Sequence, residues 1–163
     1  MELSADLPPA LVPLAWLIGR WEGAGVVGYP TIESVNFGQE IQWWHDGRPF
    51  LHYRSQAWKL DDQGRQVRPM ASEVGFWRPG PDGDVEVLLT HATGVAEIYV
   101  GTVEGPRITL QTDVVARTRT AKEYTAATRM YGLVGGELMW AMDMAAVGQP
   151  LQSHLSAQLK LVP

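Results

Sequence analysis

The sequence predicts an all-β fold, a ten-stranded antiparallel up-and-down barrel preceded by a short helix or 3₁₀ turn. Three observations lead there. Apolar and polar residues alternate with period two, as along Val35, Phe37, Gln39, Ile41 and Trp43, which is the signature of a half-buried strand. Turn signals recur at regular spacing, as Asp61-Asp62-Gln63-Gly64, Pro79-Gly80-Pro81-Asp82-Gly83, Thr93-Gly94, Glu104-Gly105-Pro106 and Gly135-Gly136. Between them no segment is long enough for a parallel crossover, so chain neighbours pair antiparallel.

The elements follow in order. From Pro8 to Leu17, prolines at the front and Leu11, Leu14, Ala15 and Ile18 at spacings of three and four suit a short helix or 3₁₀ turn that plugs the structure. Gly19-Arg20-Trp21-Glu22-Gly23-Ala24-Gly25-Val26-Val27 is too glycine-rich for a helix and reads as a bent first strand. The second strand covers Val35 to Trp43, His45-Asp46-Gly47-Arg48 is its hairpin turn, and Phe50 to Leu60 returns. Further strands are expected at about 68–78, 84–92, 94–104, 107–117, 122–133, 136–146 and 151–162. Pairing the first with the last removes both exposed edges and closes the barrel. A sandwich is the alternative, with Tyr29 to Ser34 as its one candidate long connection. A barrel of ten strands is wider than the eight-stranded kind that side chains or one small ligand can fill, so a buried small-molecule or cofactor site is expected.

Composition sets the outer limits. The 163 residues fit a single domain spanning 1–163, with 45% hydrophobic residues and 7 tryptophans for its core. A net charge of -5 without a basic run argues against a nucleic-acid partner. With no cysteine, disulfides, thiolate ligands, iron–sulfur clusters and covalent haem attachment are excluded. The acidic start from Met1 to Asp6 lacks a basic, apolar leader, and no apolar run reaches the ~18 residues of a membrane span, so a soluble, cytoplasmic protein is expected. No motif specifies an oligomer, and a homodimer is compatible with the chain.

Few chemistries remain. The four histidines, His45, His52, His91 and His154, show no zinc spacing, and the chain has no nucleophile elbow, phosphate loop or dinucleotide fingerprint. Glu73, Glu86, Glu97 and Glu123 lie on predicted strands, and any two could converge. Met70, Met130, Met139, Met142 and Met144 read for the most part as core filler and would also suit the face of a flat apolar cofactor. His45 reads as a turn residue bonding nearby backbone, His52 and His91 as structural or surface positions, and Trp21, whose motif resembles a scaffold element of barrel families, as a core anchor sealing the barrel floor.

The sequence resembles the nitrobindins, a family of ten-stranded barrels that hold haem b. The resemblance rests on Gly19-Arg20-Trp21-Glu22-Gly23-Ala24-Gly25, which matches a Gly-x-Trp-x-Gly-x-Gly motif, then on Tyr29-Pro30-Thr31 and on His45 followed by Gly47 and Pro49. It continues through Glu73, Gly75-Phe76, Arg78-Pro79, Thr93-Gly94-Val95 with Glu97, Ala121-Lys122-Glu123, and Pro150 with His154-Leu155. It implies one noncovalent haem b per chain with His154 as metal ligand and catalytic centre, Thr31 and Lys122 contacting the haem, and Met70 and Met144 near its open face. Some members carry His after the methionine matching Met70, where this chain has Ala71. The resemblance further implies a haem-dependent peroxynitrite isomerase, which converts peroxynitrite to nitrate at ferric iron and binds nitric oxide. The alternative is a noncatalytic, lipocalin-like or fatty-acid-binding-protein-like carrier of an apolar ligand, which gives His154 no task.

One conflict stands in the sequence. Strict alternation from Leu151 to Val162 puts Leu151, Leu155, Leu159 and Leu161 on one face and His154 on the other, with Gln152, Ser156, Gln158 and Lys160. Ligand duty for His154 therefore requires a bulge or bend near Pro150, a strand whose regular pairing begins only after His154, or a polar face that itself lines the pocket.

Overall fold

The computed structural model describes residues 6–163, so Met1 to Ala5 of the acidic start lie outside the described residues. A 3₁₀ segment, Pro9–Leu17, leads into β1 (Gly19–Tyr29), β2 (Ile32–Trp44), β3 (Leu51–Leu60), β4 (Gln66–Pro79) and β5 (Asp84–His91). They continue as β6 (Val95–Val103), β7 (Arg107–Arg117), β8 (Tyr124–Val134), β9 (Glu137–Ala146) and β10 (Gln152–Leu161). Every strand pairs with its chain neighbours, and β1 pairs with β10, so the sheet closes into a barrel. The long connection that the alternative sandwich needed does not exist: Tyr29 pairs with Ile32, and only Pro30 and Thr31 turn between β1 and β2.

The glycines of the motif explain the seam. A Cβ on Gly23 would lie 2.0 Å from the Gln158 carbonyl oxygen, and one on Gly25 would lie 2.2 Å from that of Ser156. Only bare backbone lets β1 approach β10 this closely, in the register Gly23↔Leu159 and Gly25↔Ala157.

One end of the barrel is plugged. Leu11, Leu14 and Leu17 of the 3₁₀ segment are fully buried, together with Trp43, Leu51, Trp77, Leu138 and Leu159 of the strands. Trp21 anchors this floor: its ring is 2% exposed, and its indole N–H donates to the Leu17 carbonyl at 2.9 Å, tying the plug to β1. Above the floor the aromatic rings stack inward, with Tyr131 parallel to Trp140 at 5.3 Å and Trp43 edge-on to Trp77 at 5.5 Å. The indole N–H groups of Trp43 and Trp77 have no polar partner, and both rings sit among edge-on aromatic neighbours. With one end filled by apolar side chains, a ligand has the other end, where β10 begins and β9 finishes.

Candidate functional site

At that open end the conflict over His154 is settled by two local features. Along the β9 edge, Ser153 pairs with Asp143 and Leu155 with Met142, so two consecutive β9 residues face three of β10 and His154 is the extra one. Along the β1 edge, pairing starts only at Val27↔Leu155. The bulge and the late pairing together release His154 from alternation. The third option fails, because Ser156, Gln158 and Lys160 are exposed while Ala157 and Leu159 face the core.

The imidazole is half-buried and held on two sides. Nδ1 lies 3.1 Å from the Gly28 carbonyl oxygen. A carbonyl can only accept, so Nδ1 carries the hydrogen, and in the neutral ring Nε2 keeps its lone pair. Nε2 has no hydrogen-bond partner among the described residues. Tyr29 stands edge-on to the ring at 5.8 Å. Its hydroxyl donates to the Met144 carbonyl at 2.9 Å and accepts from the Ala146 N–H at 3.0 Å, fixing the end of β9 against the end of β1. Burial holds the His154 pKa below the ordinary histidine value, and the Arg129 charge adds to that, against the opposing pull of the Gly28 carbonyl. A neutral imidazole with one nitrogen anchored and the other bare is the form a metal needs.

Met70, Met144, Leu155 and Val35 pack against the core from this same end and supply apolar walls. Met70 lies where β4 slips in register against β3, between Gln56 and Trp58. Thr31, in the β1–β2 turn, and Lys122, just before β8, are exposed at the rim. Glu123 ties that rim together: its backbone carbonyl accepts from the Val147 N–H at 3.0 Å, and its carboxylate accepts from the Gly148 N–H at 2.9 Å. A single bare imidazole nitrogen, thioether and aliphatic walls, and a hydroxyl and an ammonium at the edge suit a flat apolar macrocycle with acidic side chains. The donor set therefore fits haem.

A buried polar layer lies between the aromatic floor and this end, and sequence reasoning did not identify it as a unit. Arg129 grips Glu73 with two nitrogens at 2.7 and 3.0 Å, and both side chains are shielded from water. Glu97 takes hydrogen bonds from Tyr99 at 2.6 Å and from Tyr124, and His91 bridges it to Glu73. Tyr53 donates to Glu73 at 2.5 Å, while Arg129 also donates to the Tyr99 and Tyr131 hydroxyls. Burial pushes the Glu73 carboxyl up, but the adjacent guanidinium outweighs it and holds the group at about 2. Glu97 is also held below the usual carboxylate range, burial being outweighed by His91 and Arg129.

The four candidate glutamates thus divide. Glu73 and Glu97 converge, whereas Glu86 meets Arg78 on the outside at 3.6 Å and Glu123 serves the rim. A readable signal existed: Glu97 and Arg129 each sit two residues before a buried tyrosine, Tyr99 and Tyr131, and Glu73 sits four before buried Trp77, all on the face that should be apolar. His45 accepts the Gly47 N–H at 3.1 Å, as its turn position implied. His52 stacks on Trp44 at 5.2 Å outside the barrel, and His91 has a structural place in the polar layer.

Two further concavities open on the wall, one bordered by Thr102, Thr109, Met130 and Asp143, the other by Trp44, Val74, Phe76 and Ile98. Neither includes His154, Met70 or Met144.

Comparison with known proteins gives the family and agrees with the fold. Residues 10–160 match the family described as "THAP4-like, heme-binding beta-barrel domain". The chain is 51% identical over 177 residues to a ferric nitrobindin-like protein of Kineococcus radiotolerans, covering 99% of this chain and 98% of the relative. It is 54% identical over 158 residues to a peroxynitrite isomerase of a Nocardioides species, covering 97% and 96%. The crystal structure of Rv2717c from M. tuberculosis superposes with a TM-score of 0.88 at 41% identity, covering 97% of this chain and all of that one. From its barrel, its sequence and these relatives, the chain belongs to the THAP4-like, heme-binding beta-barrel family, that of the nitrobindin-like proteins.

Proposed function

We propose that this protein is a haem-dependent peroxynitrite isomerase that also binds nitric oxide, with residues 1–163 acting as one domain in the cytoplasm. The observation that carries the reading is the bulge at His154, which leaves Nε2 bare at the open end while Nδ1–H is anchored on Gly28. Relatives at about half identity that are named peroxynitrite isomerases support the activity. A lipid carrier would need the barrel but not this imidazole.

In this reading His154 Nε2 would hold the haem iron, and the Gly28 carbonyl, by polarising Nδ1–H, would make it a better donor. Lys122 and Thr31 meet propionates at the rim as ammonium and hydroxyl donors. Met70 and Met144 wall the pocket with thioethers that exclude water without offering a proton. Ferric haem, when bound, would supply a Lewis acid. The walls keep the two fragments of a peroxynitrite close enough to rejoin as nitrate. Ala71 offers no hydrogen bond, so no side-chain acid is assigned to the step.

The test is hemin titration of the apoprotein with the Soret band as readout, followed by peroxynitrite decay, for the parent and for His154→Ala. The parent is expected to bind hemin and accelerate decay, and the variant to lose both. A variant that binds and reacts like the parent would remove His154 from the site.

The assembly we propose is a homodimer without nucleic acid. Across the outside of five neighbouring strand pairs the register aligns Trp44, His52, Phe76, Leu88, Ile98 and Val114 in one row. Trp44, Phe76, Ile98 and Val114 are all exposed, an apolar stripe where an outer barrel wall is ordinarily polar.

A further inference from the structure

The barrel contains five tyrosines, and they differ in two properties that matter for one-electron chemistry. The first is a proton acceptor. Tyr53 donates to the Glu73 carboxylate, and Tyr99 and Tyr124 both donate to Glu97. The Tyr29 hydroxyl is committed to backbone groups, and that of Tyr131 accepts from Arg129. The second property is access. Tyr29, Tyr53, Tyr99 and Tyr131 are buried, whereas Tyr124, at the start of β8 and at the open end, is not. Tyr124 alone combines a carboxylate partner with a ring that a small solute can reach.

We infer that Tyr124 is a one-electron donor site for nitrogen dioxide at the barrel mouth, with Glu97 as its proton acceptor, and that it is where this protein becomes nitrated. The inference rests on the peroxynitrite reading, since a peroxynitrite whose fragments escape recombination releases nitrogen dioxide.

The physical argument is charge. Removing an electron from a phenol without its proton leaves a cation, which a partly buried site tolerates poorly. Ionising the phenol first is no easier, because burial, with Tyr99 and Glu97 nearby, raises the Tyr124 pKa far above its ordinary value. Passing the proton along an existing hydrogen bond as the electron leaves avoids both states. His91 and Arg129 keep Glu97 ionised and able to accept. The Tyr99 hydroxyl, 3.4 Å from that of Tyr124, shares the same carboxylate and gives the resulting radical a second resting place.

In the first step nitrogen dioxide takes one electron from Tyr124 and leaves as nitrite, while the phenolic proton moves to Glu97. A second nitrogen dioxide then bonds to the ring carbon beside the phenoxyl oxygen. The hydrogen on that carbon leaves as a proton to water, and Glu97 returns its proton to the oxygen. Two nitrogen dioxide molecules are consumed, giving one nitrite, one proton and 3-nitrotyrosine.

Pulse radiolysis of nitrate solutions generates nitrogen dioxide without peroxynitrite, so the test does not depend on isomerase activity. The haem-loaded protein is exposed to it, phenoxyl formation is followed by transient absorption, and nitrotyrosine is mapped by mass spectrometry. Nitration is expected at Tyr124 and absent from Tyr53, Tyr99 and Tyr131, and Tyr124→Phe should abolish it. Glu97→Gln should slow phenoxyl formation by about 100-fold, the lower end of what a positioned base contributes. Should that variant not fold, the parent in heavy water decides, since a coupled proton slows the first step there. Nitration spread over other tyrosines, an unchanged rate in Glu97→Gln, or no isotope effect would each overturn the inference. Failure of the isomerase reading would appear separately, as peroxynitrite decay unaffected by the protein.

Discussion

His154 has one nitrogen committed to Gly28 and one left over, and its protonation governs whether that second nitrogen can bind iron. Because burial lowers its pKa, the folded ring stays neutral below the ordinary histidine value of about 6.5. Hemin affinity, measured by Soret titration, should therefore hold steady through mildly acidic pH and decline only beneath the ordinary histidine range. The sign for stability is the reverse of a gain: the unfolded chain takes up its proton first, so this group costs the haem-free fold stability as pH falls. Arg129 offers a second test at this scale. Arg129→Met strands the buried Glu73 carboxylate and is expected to cost about 3–5 kcal/mol in urea denaturation, whereas adding Glu73→Gln should recover much of the loss. A double variant as unstable as the single one would mean that the arginine acts through packing instead.

At the scale of elements, the β1–β10 seam and the β10 bulge are coupled. The glycine motif lets the two strands close, and the same closure carries Gly28 alongside His154. Gly23→Ala puts a methyl carbon into the Gln158 carbonyl, so the strands must part; an expected cost is about 1–3 kcal/mol, the range for overpacking. Hemin affinity should drop with it, since the shift spreads to the anchor of His154. Denaturation and Soret titration on one sample check both, and a variant as stable as the parent would mean the seam can relax. Strand existence and order were legible because period two and glycine-bearing turns are local signals. The bulge was not, because it is a mismatch between two strands: only the offset of Ser153↔Asp143 from Leu155↔Met142 reveals it.

For the whole molecule, the outer apolar row predicts association. Sedimentation should find the parent dimeric and Phe76→Asp monomeric with hemin binding intact, since Phe76 lies outside the barrel. A parent that sediments as a monomer would remove the dimer. That row spans strands β2 to β7 and is invisible residue by residue, as each member is separated from the next by a turn. The polar layer has the same origin. Glu73, Glu97 and Arg129 each look like a lone charge in an apolar pattern, and they become one network when β4, β6 and β8 face each other across the lumen. By itself the sequence determined the ten strands, their antiparallel order and the plugged end, because these depend on local periodicity and turn chemistry; attention to His154 came from the family resemblance of its motifs. Where His154 points, which carboxylates meet, and which tyrosine stays open were decided only by the tertiary structure. Each depends on the register between strands far apart in the chain, where a slip of one residue turns a side chain from one face to the other.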